Sequence, residues 1–210
     1  MPPGAGKDMD ILFLPGAGGD PGFWQPVAEK LPAAWRKHRL GWPGLGNQPH
    51  DPAINSLNDL TALAARHLPP GSKTAVVAQS MGGIVAVKLA LAFPERISHL
   101  VLCVTSGGIP LAPYGVADWR PAYRQAFPKA AAWIMQASAD HTADLPGIGI
   151  PALLLWGDAD PISPPAVGQR LAELLQHAEL HILPGADHDL AQSHAAKAAE
   201  LIAAHLERLR

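Results

Sequence analysis

Four stretches of this chain are apolar with little alternation: "DILFLP" (residues 10–15), "TAVVAQ" (74–79), "HLVLCV" (99–104) and "PALLLWG" (151–157). A strand with one wet face alternates apolar and polar residues, whereas a strand covered on both faces does not. Runs of strand length separated by helical patterns therefore predict a mostly parallel sheet with helices on both faces. A weaker strand at 37–42, "KHRLGW", and a last one at 178–185, "AELHILPG", bring the expected number to about six.

The helical patterns fall between these runs. One is expected near 23–31. Another spans 55–68, with Leu57, Leu60, Leu63 and Ala64 on one face. There Ser56, followed by Asp59, resembles a capping box. A third follows Ser80 and stops before Pro94. Ser163 and Pro164 read as N-cap and first helical residue of a fourth, carrying Val167, Leu171, Leu174 and Leu175. The Ala-rich run from Ser193 onward is the last. We read the whole chain, 1–210, as one α/β domain, with a loose tail at 2–7. One segment breaks the rhythm: an insertion at about 105–149 is longer than an ordinary crossover. It carries Tyr114, Trp119, Tyr123, Phe127 and Trp133. Ligands bind such sheets at the carboxyl ends of the strands, so this insertion is expected to form a short helical lid.

Composition excludes several classes. The chain is 48% hydrophobic and 16% charged, enough to bury a substantial core. With a formal net charge of −2 and no basic block, nucleic acid is not an expected partner. No apolar run is long enough for a membrane span, and no signal-peptide pattern opens the chain, so a cytoplasmic location is expected. Cys103, the only cysteine, sits in an apolar run and reads as core filler.

Chemistry concentrates at the joint between "TAVVAQ" and the helix after it. Ser80 stands there between small residues, Ala78 and Gly82. A sharp strand–turn–helix leaves no room for bulk two positions either side of the central residue, and it lifts that residue's hydroxyl clear of the sheet. A serine hydroxyl needs a base, and the base needs an orienting acid. In this architecture they follow in the order Ser, acid, His. "LLLWGDADPIS" supplies Asp158 and Asp160; Asp160, deeper in its loop, is the preferred acid, and Asp158 is expected to bond its own turn. "LHILPGADHDL" supplies His188 as base, in preference to His181 inside a strand and His194 at a helix start. Two backbone N–H groups are needed for an oxyanion: Met81, after the serine, and Ala17 in the glycine-rich "LPGAGGDPGFW". That loop matches neither GxGxxG nor GxxxxGK[ST], and no metal-ligand spacing such as HExxH occurs, so no cofactor or metal is expected. Trp24, Trp119 and Tyr123 are candidate walls of a substrate pocket.

Taken together, "LPGAGGDPGFW", "GWPGLGNQP", "VVAQSMGGIVAVKLALAFPERISHLVL", "PALLLWGDADPIS" and "HILPGADHDLA" resemble the α/β-hydrolase superfamily over nearly the whole chain. The likeness is to small esterase-like, MenH- and BioH-like members with short lids. It implies Ser80, Asp160 and His188 as nucleophile, acid and base, and a small-molecule acyl substrate. Three positions depart from the common pattern. Pro15 replaces the His of an HG pair, Trp42 stands where D-x-PGxG is common, and Asp187 replaces the Gly before the histidine. By the same likeness, a trimmed version of the fold without its first strands is expected. The resemblance allows three activities: ester or thioester hydrolysis, lyase or C–C bond chemistry through the same residues with Arg120 and Arg124 on a carboxylated substrate, or ligand binding alone. A serine at the elbow disfavours halide and epoxide chemistry, which uses a carboxylate nucleophile.

Overall fold

The computed structural model describes residues 9–208. The tail expected at 2–7 and the last two residues of the final helical run lie outside them. Among the described residues six strands form one sheet in which every neighbouring pair is parallel. They are β1 (Asp10–Leu14), β2 (Arg36–Arg39), β3 (Thr74–Gln79), β4 (Ile97–Cys103), β5 (Ala152–Gly157) and β6 (Ala178–Leu183), in the order β2-β1-β3-β4-β5-β6. Every residue of β1, β3 and β5 is buried, while β2 and β6, at the edges, are largely half-buried or exposed. The non-alternating runs thus occupy the centre of the sheet.

Among the described residues seven helices accompany the strands: α1 (Gln25–Ala28), α2 (Leu57–Ala65), α3 (Met81–Ala92), α4 (Arg120–Ala126), α5 (Pro165–Leu174), α6 (Leu190–Ser193) and α7 (Ala195–Leu206). From β1 the chain passes through α1 to β2, then reverses through α2 past β1 to β3, and every later crossover continues that way. Right-handed crossovers that reverse direction place their helices on opposite faces. α1 therefore lies on one face, packed against α6 and α7, and α2, α3 and α5 cover the other. The reversal has a second consequence. The connections leaving β1 and β3 diverge, so a crevice opens at the carboxyl ends of these adjacent strands. Among the described residues no helix is long and apolar enough to cross a membrane.

Local differences from the sequence reading have physical causes. α1 is a single turn, shorter than expected; Trp24, the residue before it, donates its indole N–H to the Leu14 carbonyl at 3.0 Å and sits in the core. The last helical run divides into α6 and α7 at His194. α5 starts one residue late: Pro164 is extended at the cap position and Pro165 opens the helix. Ser163 is occupied elsewhere, accepting from the Trp156 indole at 3.2 Å and donating to the Thr105 carbonyl at 3.4 Å. Ser56 caps α2 as expected, accepting from the Asp59 amide at 3.2 Å, while the Asp59 carboxylate accepts from Asn55 N at 3.0 Å.

The segment between β4 and β5 holds α4 and three short 3₁₀ turns. It is fastened at the carboxyl end of the sheet. Ala117 N donates to the Pro161 carbonyl at 2.7 Å and Ala131 N to the Gly44 carbonyl at 2.7 Å. His50 Nε2 donates to the Lys129 carbonyl at 2.8 Å. The segment thus reaches from the loop after β5 to the loop after β2.

At the opposite end of the sheet, His205 of α7 is 5% exposed and packs edge-on against His99, with ring centroids 5.2 Å apart. Burial and the His99 ring push its pKa down to about 4, although a bond to the Pro151 backbone opposes the shift. In an unfolded chain the imidazole titrates near 6.5. Between those values the unfolded state holds a proton that the folded state does not, so stability falls as pH drops from about 6.5 to 4. The loss reaches about 3 kcal/mol at the lower end. In urea titrations from pH 7 to 4, His205→Leu should flatten this fall by about that amount. An unchanged pH slope in the variant would rule the assignment out.

Candidate active site

The crevice between β1 and β3 is where Ser80 stands. It has φ 52° and ψ −125°, a conformation that L-residues rarely adopt and that costs about 1–3 kcal/mol. The surroundings hold it there. Ser80 N donates to the Cys103 carbonyl at 3.0 Å, and the Ser80 carbonyl accepts from Gly83 N at 2.9 Å and Thr105 Oγ1 at 2.5 Å. The small residue at position 82 is required by contact: a Cβ there would lie 2.3 Å from the Pro15 carbonyl oxygen. The first turn of α3 is therefore pressed onto the end of β1, close enough for the two loops to share one site.

The loop after β5 supplies Asp160, 3% exposed. Its Oδ1 accepts from the amides of Ile162 at 2.8 Å and Ser163 at 3.1 Å. Its Oδ2 lies 2.7 Å from His188 Nδ1, and His188 Nε2 lies 2.9 Å from Ser80 Oγ. One unbroken chain of hydrogen bonds thus links residues from three separate loops. Asp158, the other acid considered, does not bond its own turn as expected. It accepts from Gly185 N at 2.7 Å and ties the loop after β5 to the loop that carries His188. His181 pairs with Glu179 at 2.7 Å, and His194 with the Ser193 hydroxyl at 2.9 Å; neither joins the chain. Sequence reading missed Gln79, whose side chain donates to the His188 carbonyl at 3.2 Å and anchors that loop to β3. An amide side chain closing the apolar run "TAVVAQ", next to Ser80, was the available signal.

Met81 opens α3, where the first N–H groups of a helix have no intrahelical acceptor. Ala17 lies in the loop after β1, half-buried, with Gly16 packed against the elbow: a Cβ on Gly16 would lie 3.1 Å from Ser80 Cβ. Of the expected pocket walls, Trp24 is a correction. It is 1% exposed, with its ring against Phe13 and its indole bonded to β1, so it belongs to the core. Trp119 is half-buried and meets Tyr123 edge-on at 5.3 Å; Tyr123 is buried, with its hydroxyl on backbone rather than facing open space. Arg120 spends its guanidinium on the Met135 carbonyl at 2.9 Å, on Asp118 and on the Trp119 ring. Pro15 and Trp42, two departures from the common pattern, are partners: the Trp42 indole donates to the Pro15 carbonyl at 2.7 Å. Burial pushes the Cys103 thiol well above its ordinary pKa, which keeps it un-ionised. Among the described residues no group of three or more His, Cys, Asp or Glu is placed to hold a metal ion.

Sheet order, strained serine and hydrogen-bonded chain are those of one class, and the sequence agrees: residues 11–201 match the model of the Alpha/beta hydrolase family, and the chain belongs to it. Among individual relatives, it is 37% identical to a pimeloyl-[acyl-carrier protein] methyl ester esterase of Nitrosomonas europaea over 48% of this chain and 39% of that protein. It is 27% identical to the protein of that name from Chromobacterium violaceum, over 96% of each. In fold it is similar to the enol-lactonase from Burkholderia xenovorans LB400, with TM-score 0.76, 23% identity, and coverage of 97% of this chain and 93% of that one.

Proposed function

We propose that the protein is a serine hydrolase that cleaves a carboxylic ester or thioester through an acyl-serine intermediate. The observation that carries this reading is the Asp160–His188–Ser80 chain, with links of 2.7 and 2.9 Å. Ser80 Oγ attacks the carbonyl carbon as its proton passes to His188 Nε2, and Asp160 stabilises the imidazolium. The N–H groups of Met81 and Ala17 receive the oxyanion. His188 then gives its proton to the leaving alcohol or thiol. A water, deprotonated by the same nitrogen, cleaves the acyl-enzyme and releases the acid. The segment between β4 and β5 acts as a lid over the acyl group. The esterase names of the relatives favour ester over lyase chemistry, and Arg120, already occupied, offers no ready clamp for a substrate carboxylate.

The test is to treat the purified protein with a fluorophosphonate probe and a panel of p-nitrophenyl esters and acyl thioesters. Expected are a covalent adduct on the peptide containing Ser80 and release of the free acid with a burst of p-nitrophenol. Turnover without an adduct would favour the lyase reading. Neither turnover nor adduct would leave ligand binding.

A further inference from the structure

The loop after β1 has to aim an N–H at the oxyanion, yet Ala17, which carries it, stands among Gly16, Gly18 and Gly19, residues with the least constrained backbone. A Cβ on Gly18 would meet nothing within 4 Å, while the Gly18 carbonyl is pressed against Gly46, where a Cβ would lie 1.9 Å from it, so contact holds the far side of the loop and leaves Ala17 to its hydrogen bonds. The Ala17 N–H and the Ala17 carbonyl flank one Cα, so rotation at Ala17 would spoil the aim of the N–H and swing the carbonyl toward the site. A carbonyl facing a developing oxyanion would repel it.

The carbonyls at the end of β1 and in this loop are claimed one after another. Leu14 O accepts from the Trp24 indole at 3.0 Å, Pro15 O from the Trp42 indole at 2.7 Å, and Gly16 O from Gly19 N at 3.1 Å. Ala17 O accepts from the Tyr123 hydroxyl at 2.8 Å. The same hydroxyl accepts from Gly46 N at 3.0 Å, and a hydroxyl that accepts from an N–H donates more strongly. Tyr123 is 8% exposed and packs between Trp119 and Phe127, so its ring has little freedom. The other three donors come from the loops after β1 and β2. Tyr123 alone comes from the segment between β4 and β5.

We propose that Tyr123 is a positioning residue for the oxyanion hole. Its hydroxyl pins the Ala17 carbonyl away from the reacting carbon, so that the seated lid sets the geometry of the glycine-rich loop. The inference rests on the hydrolase reading above. Without the hydroxyl, Ala17 O and Gly46 N both lose a partner, and the 17–18 peptide is released to seek another.

Tyr123→Phe removes one oxygen and keeps the ring. Loss of a whole oxyanion donor costs about 10²–10³ in rate, so loosening one donor should lower kcat by about 10- to 100-fold with KM within about threefold of wild type. The inhibition constant of a trifluoromethyl ketone, which forms an oxyanion adduct with serine, should rise by the same factor as kcat/KM falls. Tyr123→Leu, which also removes ring packing, should melt at lower temperature but lose no more kcat than Tyr123→Phe. A rise in KM with kcat retained, or an unchanged ketone constant, would overturn the proposal and leave Tyr123 as lid packing. Failure of the parent reading shows differently, because the wild-type protein itself would then neither hydrolyse the ester nor label with fluorophosphonate.

Discussion

Ser80→Ala should lower kcat for a p-nitrophenyl ester by at least about 10⁴-fold and abolish fluorophosphonate labelling, with the protein still folded. The reason is chemical: no other hydroxyl joins the hydrogen-bonded chain to His188. Ser80→Gly separates chemistry from strain. Both variants lack the hydroxyl, but only alanine keeps a Cβ at φ 52°. Relief of about 1–3 kcal/mol of strain outweighs the extra chain entropy of glycine, about 0.5–1 kcal/mol, so Ser80→Gly should be more stable than Ser80→Ala by about 1 kcal/mol. In a chain of this size that difference raises the melting temperature by about 2–4 °C. Thermal unfolding of the two inactive variants measures it. Equal melting temperatures would show that the elbow holds no strain. Substantial turnover by Ser80→Ala would remove the nucleophile from the proposed reaction.

Much of the architecture was legible because it depends on local chemistry. The strands at 74–79 and 151–157 announce burial on both faces by failing to alternate, and the structure places them inside the sheet. Ser80 was readable because a turn this sharp needs small neighbours, and Gly82, which cannot accept a Cβ, is the physical trace of that need. Asp160 and His188 were readable as loop residues at the ends of two later strands; their meeting at Ser80 follows from sheet order. What stayed hidden depends on partners distant in sequence. A tryptophan looks the same in a sequence whether it lines a pocket or a core, and only the Leu14 carbonyl decides the case for Trp24. Pro15 and Trp42 read as two separate departures, yet they are one hydrogen bond across 27 residues. Asp158 looked like a residue serving its own turn, but its acceptor role lies with Gly185, one crossover later. The start of α5 slipped by one residue because Ser163 answers to Trp156 and Thr105 rather than to the helix.

Asp160→Asn should lower kcat by about 10⁴-fold, a larger loss than its near-isosteric shape suggests. The loss depends on which atom faces the imidazole. Asp160 Oδ1 accepts from Ile162 N and Ser163 N, and both amides need an acceptor oxygen. In the variant the amide oxygen must therefore stay with them, and the Nδ2 group takes the place of Oδ2, 2.7 Å from His188 Nδ1. An NH₂ there can only donate, so Nδ1 becomes the acceptor and the ring proton moves to Nε2. With a proton already on Nε2, His188 donates toward Ser80 Oγ and cannot take its proton. The fold loses little, because the two backbone amides keep their acceptor, so kcat should collapse while the melting temperature moves by only a few degrees. Asp158→Asn is the matched control: it also keeps an acceptor oxygen for Gly185 N, and turnover should stay within a few-fold of wild type. If Asp158→Asn were the inactive variant and Asp160→Asn the active one, the acid would have to be reassigned. The same measurement separates orientation from charge. A carboxylate that acted only as a nearby negative charge would lose activity equally on Asp160→Asn and Asp160→Ala. An orienting one should leave the alanine variant the more active of the two, since alanine does not impose the wrong tautomer.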